Sequence, residues 1–544
     1  MSFVPHELTG GDRRERLCWS CLAWLSTLLY LCGLSIADPD LWGHTLYGLR
    51  ALEQGVAAEP TDPFSWSAPN AVWINHEWLS EDSMAWAYRR WGDGGLVLWR
   101  NLWLLLLWLA VADAFWHRSA SLSGQLVCLG FGALCLSDFL VFIRPQLATY
   151  ALLAWNLRLL DRMRDPGRQW LGWLIPLVMI PWVNLHGGFL AGVGVTTAGC
   201  AAIAWETHSE IRSRHWRFAC LAVIPVLTIE ATFCNPYGSR LHSMLWTHLV
   251  TYQPVREWQP LWATTPSVVY GVPFLLLGLA LVGWRQWRPL EVVTVLVVGW
   301  QAVNHLRHIG LLTVTSLVLL PGAISAGLFQ LFPLLHEQWS GTAGRRIRWA
   351  GLLLFCGALW LFHQSGAERL SASGLTPWQV AVEVRSDVPG VPARAVQWLA
   401  DRKVQGRLLT QYGWGQYVLW HLYPDCTVGF DGRYRTIYPA EIEAQFLAFQ
   451  ELEPGDDPPE LLDQAEIVLW PVEHRPLPFL VGRPEWVEVY RDDQASVWLR
   501  DQPAWAATLV DRSKLPETSS DQRRWLRFPG GPQNGIPVAT SRNR

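Results

Sequence analysis

The chain has 544 residues, of which 51% are hydrophobic and only 16% charged, against a charged share of about 25% in soluble domains. The apolar residues come in blocks, which excludes one large soluble globule and points to a polytopic membrane protein with a soluble part. A net charge of −3 argues against a nucleic-acid partner.

Apolar runs predict eleven spans, near residues 17–36, 95–115, 121–137, 146–160, 170–184, 189–205, 217–233, 267–284, 289–304, 309–328 and 349–364. No small-residue cleavage site follows the first run, so it reads as an uncleaved signal anchor. Most cysteines lie in or beside these runs, where Cys behaves as a small hydrophobe, and no disulfide framework is expected. The 36 Trp suit the membrane–water boundary. Arginines fall mainly on alternate connections. Arg13, Arg14, Arg16, Arg118, Arg158, Arg162, Arg164, Arg168, Arg212, Arg214, Arg217, Arg285, Arg288, Arg345, Arg346 and Arg348 stand on one side. Arg50, Arg89, Arg90, Arg144, Arg240, Arg256 and Arg307 stand on the other. The positive-inside rule then sets the N-terminus in the cytoplasm. An odd span count puts the C-terminal domain outside, in the periplasm or cell exterior, with the spans in a bacterial inner membrane.

The first run ends in SIADPDLWGHTLYGLRALEQG, residues 35–55. Asp38 before Pro39 has the pattern of a helix N-cap with proline at the first position. Asp40 in the first turn complements the helix dipole, and Gly55 is a candidate stop. Leu41, Trp42, Thr45, Leu49 and Leu52 make an apolar face opposite Asp40, His44, Tyr47 and Gln54. An amphipathic helix lying on the membrane explains this spacing, and so does a site built on Asp38 or Asp40. Capping does not require His44 one turn from Asp40 on the same face.

Further along, WINHEWLSE (73–81) sets His76, Glu77 and Glu81 at helical spacing. His76 and Glu77 with Asp40 are candidate ligands for a divalent cation, Mg or Mn, since oxygen and imidazole donors suit both; no metal motif of fixed spacing is present. The later connections on the same side carry Arg144-Pro145-Gln146, Asn184-Leu185-His186-Gly187-Gly188, Asn235-Pro236-Tyr237-Gly238, Arg256-Glu257-Trp258 and His305-Leu306-Arg307-His308. Arg144 reads as a phosphate ligand or as an arginine snorkelling to the interface, and His186 as a ligand or part of a tight turn. His305, Arg307 and His308 at the head of a span suit a lipid phosphate, which arginine binds bidentately. Ionisable groups gathered at one membrane face mark a site there. The catalytic candidates are Asp38 and Asp40, and the substrate-binding candidates are Trp42, His44, His76, Glu77, Glu81, Arg144, His186, His305, Arg307 and His308.

Residues 365–502 read as a small α/β domain. Its β-like runs are Gly406–Gln411, Thr427–Asp431, Glu466–Pro471, Val487–Tyr490 and Ser496–Arg500, and its helical patterns cover 392–402, 414–422 and 439–450. Tyr412-Gly413-Trp414-Gly415 and Asp431-Gly432-Arg433-Tyr434 form either a glycan-contact surface or tight turns. Residues 503–544, rich in Pro, Ser, Arg and Gly, read as a disordered tail.

The residues Asp38-Pro39-Asp40-Leu41-Trp42-Gly43-His44, Asp62-Pro63-Phe64-Ser65, Asn75-His76-Glu77-Trp78, Arg144-Pro145-Gln146, Asn184–Gly188, Asn235-Pro236-Tyr237-Gly238, Tyr412–Gly415 and Asp431-Gly432-Arg433 occur in this order over roughly residues 15–500. The pattern resembles the GT-C superfamily of integral-membrane glycosyltransferases, closest to its protein-mannosyltransferase-like and Rgt-like bacterial branches. The resemblance implies an all-α polytopic domain, a small extracytoplasmic α/β domain, and transfer of a sugar from a polyprenyl-phosphate donor. It also implies an aspartate base early in the first outer loop, which here falls on Asp38 or Asp40. The acceptor, whether glycan, lipid or protein, is open. A transporter of lipid-linked glycans would need polar residues at mid-membrane, whereas here they collect on one side. A ligase would carry its loaded loop late in the chain. A non-catalytic protein binding a glycan or protein partner through its outer domain stays open.

Overall fold

The computed structural model describes residues 10–118, 121–165, 167–208, 215–251, 256–264, 268–333, 341–372, 374–382, 384–385, 388–472, 474–501 and 525–531. The chain divides into two compact units. One holds the chain up to Leu34, Arg100–Gly238 and Val250–Arg369; the other holds Ser35–Trp99, Ser239–Leu249 and the chain from Leu370. The first loop is thus grouped with the C-terminal domain.

The first unit is helical. Its helices are α1 (Gly10–Cys32), all but the first turns of α4 (Asp93–His117), α5 (Leu122–Leu140), α6 (Gln146–Arg162), α7 (Leu174–Leu185), α8 (Phe189–Glu206), α9 (His215–Ala231), α11 (Val268–Val282), α12 (Pro289–Asn304), α13 (Ile309–Leu319), α14 (Pro321–Leu331) and α15 (Gly341–Ala372). Every run expected to span is helical. By length and apolar composition α4, α5 and α8 suffice to cross a bilayer, and a fourth crossing arises if α13 and α14 count as one; eleven spans is more than these helices establish. The run expected as one span over 309–328 is bent by 81° between α13 and α14, because Pro321 opens the second helix and cannot donate to the turn before it.

The bundle interior is not purely apolar, contrary to the expectation from sequence. Arg100, 1% exposed, donates to the Leu140 carbonyl at 2.6 Å and the Leu31 carbonyl at 2.7 Å, satisfying last-turn groups of α5 and α1 that have no partner within their helices. At the end of the bundle where α4, α6 and α8 stop and α12 starts, Arg118 binds Asp161 at 2.6 Å and Glu291 at 2.7 Å. Arg158 binds Asp113 at 2.7 Å and also Asp161. Arg164 binds Glu291 and Glu206, each at 3.0 Å. Arginines that bias the topology are therefore also neutralised members of a buried ion network.

The second unit contains α2 (Leu41–Gln54), α3 (Trp78–Trp91), the start of α4, most of α10 (Ser239–Val250), and an α/β domain with α16 (Ala393–Asp401), α17 (Gly415–Leu422), α18 (Ala440–Gln450), α19 (Glu460–Gln464) and α20 (Leu477–Val481). Its five-stranded sheet comprises β1 (Gly406–Thr410), β2 (Cys426–Val428), β3 (Ile467–Pro471), β4 (Trp486–Arg491) and β5 (Ala495–Arg500). The order is β2-β1-β3-β5-β4, with β1 parallel to both neighbours and β5 antiparallel to both of its own. β3 is apolar throughout, and Leu408 and Leu409 of β1 are apolar and buried, because both faces are covered at the centre of the sheet.

The first loop extends this sheet. Val428 donates to the Phe64 carbonyl at 3.0 Å and accepts from the Trp66 amide at 3.2 Å. Arg433, 6% exposed, locks the junction. It binds Asp431 at 2.7 Å and also Asp62, donates to Ser65 Oγ at 3.0 Å, and lies over the rings of Tyr47, Phe64 and Trp73. Asp431-Gly432-Arg433 is therefore a buried turn. Tyr412–Trp414 is a single 3-10 turn whose Trp414 is buried.

Of the expected disordered tail, residues 525–531 are ordered. Phe528, 2% exposed, packs on Trp42, Tyr88 and Trp420. The Pro529 carbonyl accepts from Trp42 Nε1 at 2.8 Å, and Arg527 binds Asp93 at 2.6 Å. Two aromatic residues among polar ones give this segment something to bury. The rest of the stretch lies outside the described residues.

Arg433→Met leaves Asp62 and Asp431 buried without their counter-ion. The expected loss is about 3–5 kcal/mol of stability, read as a lower thermal midpoint of the purified protein; a loss below about 1 kcal/mol contradicts a structural lock.

Candidate functional site

The candidate residues fall into two sets, one in each unit. In the second unit α2 begins after Asp40, whose carboxylate makes no capping bond to the helix. Asp38, buried, accepts the Asp40 amide at 3.0 Å, an Asx turn that sets the entry of the helix. The expected cap therefore moves by two residues: Asp38 shapes the turn from outside the helix, and Asp40 takes the cap position without a side-chain capping bond. Gly55 ends α2 with φ of 69°, as expected. The Asp40 carboxylate lies over Gly432, where a β-carbon would overlap it and press on Gln416 Nε2.

An exposed amphipathic helix does not describe α2. His44 and Tyr47, assigned to its polar face, are buried along with Leu41 and Trp42. The reason is close approach: a β-carbon at Gly48 would overlap the Glu81 carbonyl, so α2 and α3 pack nearly backbone to backbone. That brings His44 Nδ1 to 2.9 Å from Glu81 Oε1 and His44 Nε2 to 3.9 Å from Glu77 Oε2. Asn75 donates to the other Glu81 oxygen. His76 stands 3.8 Å from Glu77. Burial opposes the imidazolium of His44, but the Glu81 hydrogen bond and the charges of Glu77, Glu81 and Asp40 outweigh it and hold the pKa at about 9. The cation-binding group read from sequence, His76 and Glu77 with Asp40, is replaced. Among the described residues the group whose ligand atoms all lie within 4.8 Å of one another is His44, Glu77 and Glu81. Trp42 donates to the Pro529 carbonyl and is enclosed by Tyr417 and Phe528.

In the first unit, Arg144 pairs with Glu257 at 3.0 Å. Arg307 lies 4.6 Å over the Trp258 ring. His305 Nδ1 meets the Trp258 carbonyl at 3.0 Å, and its ring lies 5.4 Å from that of His308. Burial would raise the Glu257 carboxyl, yet the charges of Arg144 and Arg307 bring it below its usual range. These are two loop arginines around one carboxylate. Sequence reasoning did not pick Glu257 out as a site residue; its place between Arg256 and Trp258 is the only signal. His186 departs from this group. Its Nδ1 accepts the Gly188 amide at 2.9 Å and faces Thr149 Oγ1 at 2.9 Å, so its proton sits on Nε2 and the tight-turn reading describes it.

The sequence matches no protein-family model and no curated protein. Among solved structures, ArnT from Cupriavidus metallidurans bound to undecaprenyl phosphate superposes with a TM-score of 0.50 at 13% identity, covering 90% of this chain and 98% of that one. The same protein in the apo state gives a TM-score of 0.53 at 11% identity with the same coverage. The chain therefore has the fold of ArnT, and the GT-C resemblance read from the sequence holds at the level of the fold.

The raised His44 pKa has a definite sign. Its stabilisation is fully present below the unfolded value near 6.5 and is lost as pH rises through about 9. His44→Gln is expected to flatten the stability profile over that window, with a wild-type loss of at most about 3 kcal/mol, followed by thermal unfolding at stepped pH. Gly432→Ala is expected to cost about 1–3 kcal/mol by overpacking. Asp40→Ala in the same background should recover most of it in a double-mutant cycle; additive losses would refute the contact.

Proposed function

We propose that the chain is a membrane glycosyltransferase that moves a sugar from a polyprenyl-phosphate donor to an extracytoplasmic acceptor. The observation that carries this reading is the shared fold over 98% of ArnT, a protein solved with undecaprenyl phosphate bound. The assigned setting is a bacterial inner membrane, with the N-terminus cytoplasmic and the C-terminal domain periplasmic or extracellular.

The acceptor hydroxyl attacks the anomeric carbon, the bond to the lipid phosphate breaks, and the hydroxyl proton passes to the Asp40 carboxylate. The configuration inverts, and the lipid leaves as its phosphate. Asp40 is assigned as the base because it is the more accessible of the two acids, whereas Asp38 is buried and holds the Asp40 amide in the Asx turn. Asp38 is a positioning residue. Within the first unit, Arg144 and Arg307, gathered around one carboxylate, form a group suited to a phosphate, which arginine binds with two parallel hydrogen bonds. His305 and His308 flank them.

His44, Glu77 and Glu81 offer one imidazole and two carboxylates, a donor set that fits Mn and also Mg. A cation held there would supply local positive charge. His44 must lose its proton to act as a ligand, so binding strengthens as pH rises toward about 9.

The test uses the full chain in nanodiscs with undecaprenyl-phosphate sugars and a panel of glycan, lipid and peptide acceptors, with and without Mn, recording undecaprenyl phosphate release. Asp40→Asn is expected to lower the rate by about 10²–10⁴-fold with the thermal midpoint kept. Asp38→Asn should lower rate and midpoint together. Absence of both release and donor binding would overturn the reading in favour of a non-catalytic binding protein.

A further inference from the structure

The first unit contains a second feature, at the end of the bundle opposite His305. A cleft of about 810 Å³ opens between α8, α11 and α12, within the range of sites that hold small ligands. Ala198 and Ala202 of α8 form part of its apolar wall with Leu281 of α11, and Trp205, Trp284 and Arg288 stand around it. The alanines are the cause of the cleft, since larger side chains there would fill it.

Three facts specify an occupant. Water in an apolar cleft of a membrane bundle gives up hydrogen bonds, so a hydrocarbon chain is the favoured filling. Trp205 and Trp284 are 75% and 64% exposed, and indoles with one apolar and one wet side sit at headgroup level. Arg288 has a side chain 63% exposed, and the carboxylate near it, on Glu206, is 3.7 Å away and closer to Arg164, at 3.0 Å. The neighbouring Arg285 is exposed as well. The mouth therefore presents positive charge beside its exposed indoles.

We propose that this cleft is a binding site for one anionic diacyl phospholipid of the leaflet on that face, with an acyl chain along Ala198 and Ala202 and its phosphate on Arg288. Arginine suits phosphate through paired, charge-assisted hydrogen bonds. The inference does not rest on the proposed transferase activity.

The experiment is native mass spectrometry of the full chain released from nanodiscs of equimolar dioleoyl-phosphatidylglycerol and dioleoyl-phosphatidylethanolamine with a small share of undecaprenyl phosphate. Wild type is expected to retain one phosphatidylglycerol. Ala202→Trp, which fills the cleft, should reduce retention at least about tenfold. Arg288→Gln, at an exposed position where folding is not at stake, should remove the preference for phosphatidylglycerol over phosphatidylethanolamine. Retention that neither substitution changes, equal retention of the two phospholipids by wild type, or retention of undecaprenyl phosphate in their place would each overturn the proposal.

Discussion

A guanidinium enclosed by three aromatic rings cannot stay charged without carboxylates, and it cannot become neutral either. Arg433 therefore needs Asp62 and Asp431 together, although the two acids are far apart in sequence. Asp62 comes from the first loop, so that loop is held to the sheet of the C-terminal domain. Once it is held, the backbone pairing of Phe64 and Trp66 with Val428, the burial of α2 and the placement of Asp40 over Gly432 follow as one assembly. The purpose of the α/β domain is thus partly architectural: it supplies the wall against which a loop from the start of the chain becomes rigid. Rigid support is what a base needs if its carboxylate is to meet a hydroxyl in a fixed geometry.

Much of this was legible in the sequence. Apolar runs located the helices of the first unit, because a 3.6-residue period and long apolar stretches leave few alternatives. Five β-like runs and three helical patterns became elements of the α/β domain, most within a residue of their ends, although the strand expected over Thr427–Asp431 stops at Val428 and the short helices Glu460–Gln464 and Leu477–Val481 were not legible. The helix stop at Gly55 was legible because a left-handed cap asks for glycine. What could not be read was pairing. Asp113, Asp161, Glu206 and Glu291 look like ordinary charges at helix ends, and only the packing of helices shows that they neutralise Arg118, Arg158 and Arg164. His44 and Glu81 are adjacent in space because Gly48 lets two helices touch, a fact about volume that no periodicity carries. The polar face assigned to α2 failed for the same reason: a hydrophobicity pattern knows what is polar, not what a second element will cover.

The two candidate sets differ in kind. The set around His44 is enclosed and its partners are fixed, which suits a positioning or ligating role. The set around Glu257 has cations on loops and rings, with the carboxylate side chain 45% exposed. A half-buried carboxylate holding an arginine in an ion pair open to water contributes little to stability. The chain thus keeps one charged group enclosed and another partly open to water.

The segment 525–531 carries a consequence for biogenesis. Phe528 completes an aromatic cluster whose other members, Trp42, Tyr88 and Trp420, leave the ribosome earlier. Until it arrives, those rings lack one packing partner and the Trp42 indole N–H lacks its Pro529 acceptor. Co-translational folding of the second unit can therefore proceed only as far as an incomplete core, and quality-control factors that read exposed aromatic surface have a defined interval in which to act. The same arrangement makes the segment a natural fragment for complementation in trans, because its contacts are dense, short in sequence and confined to one unit.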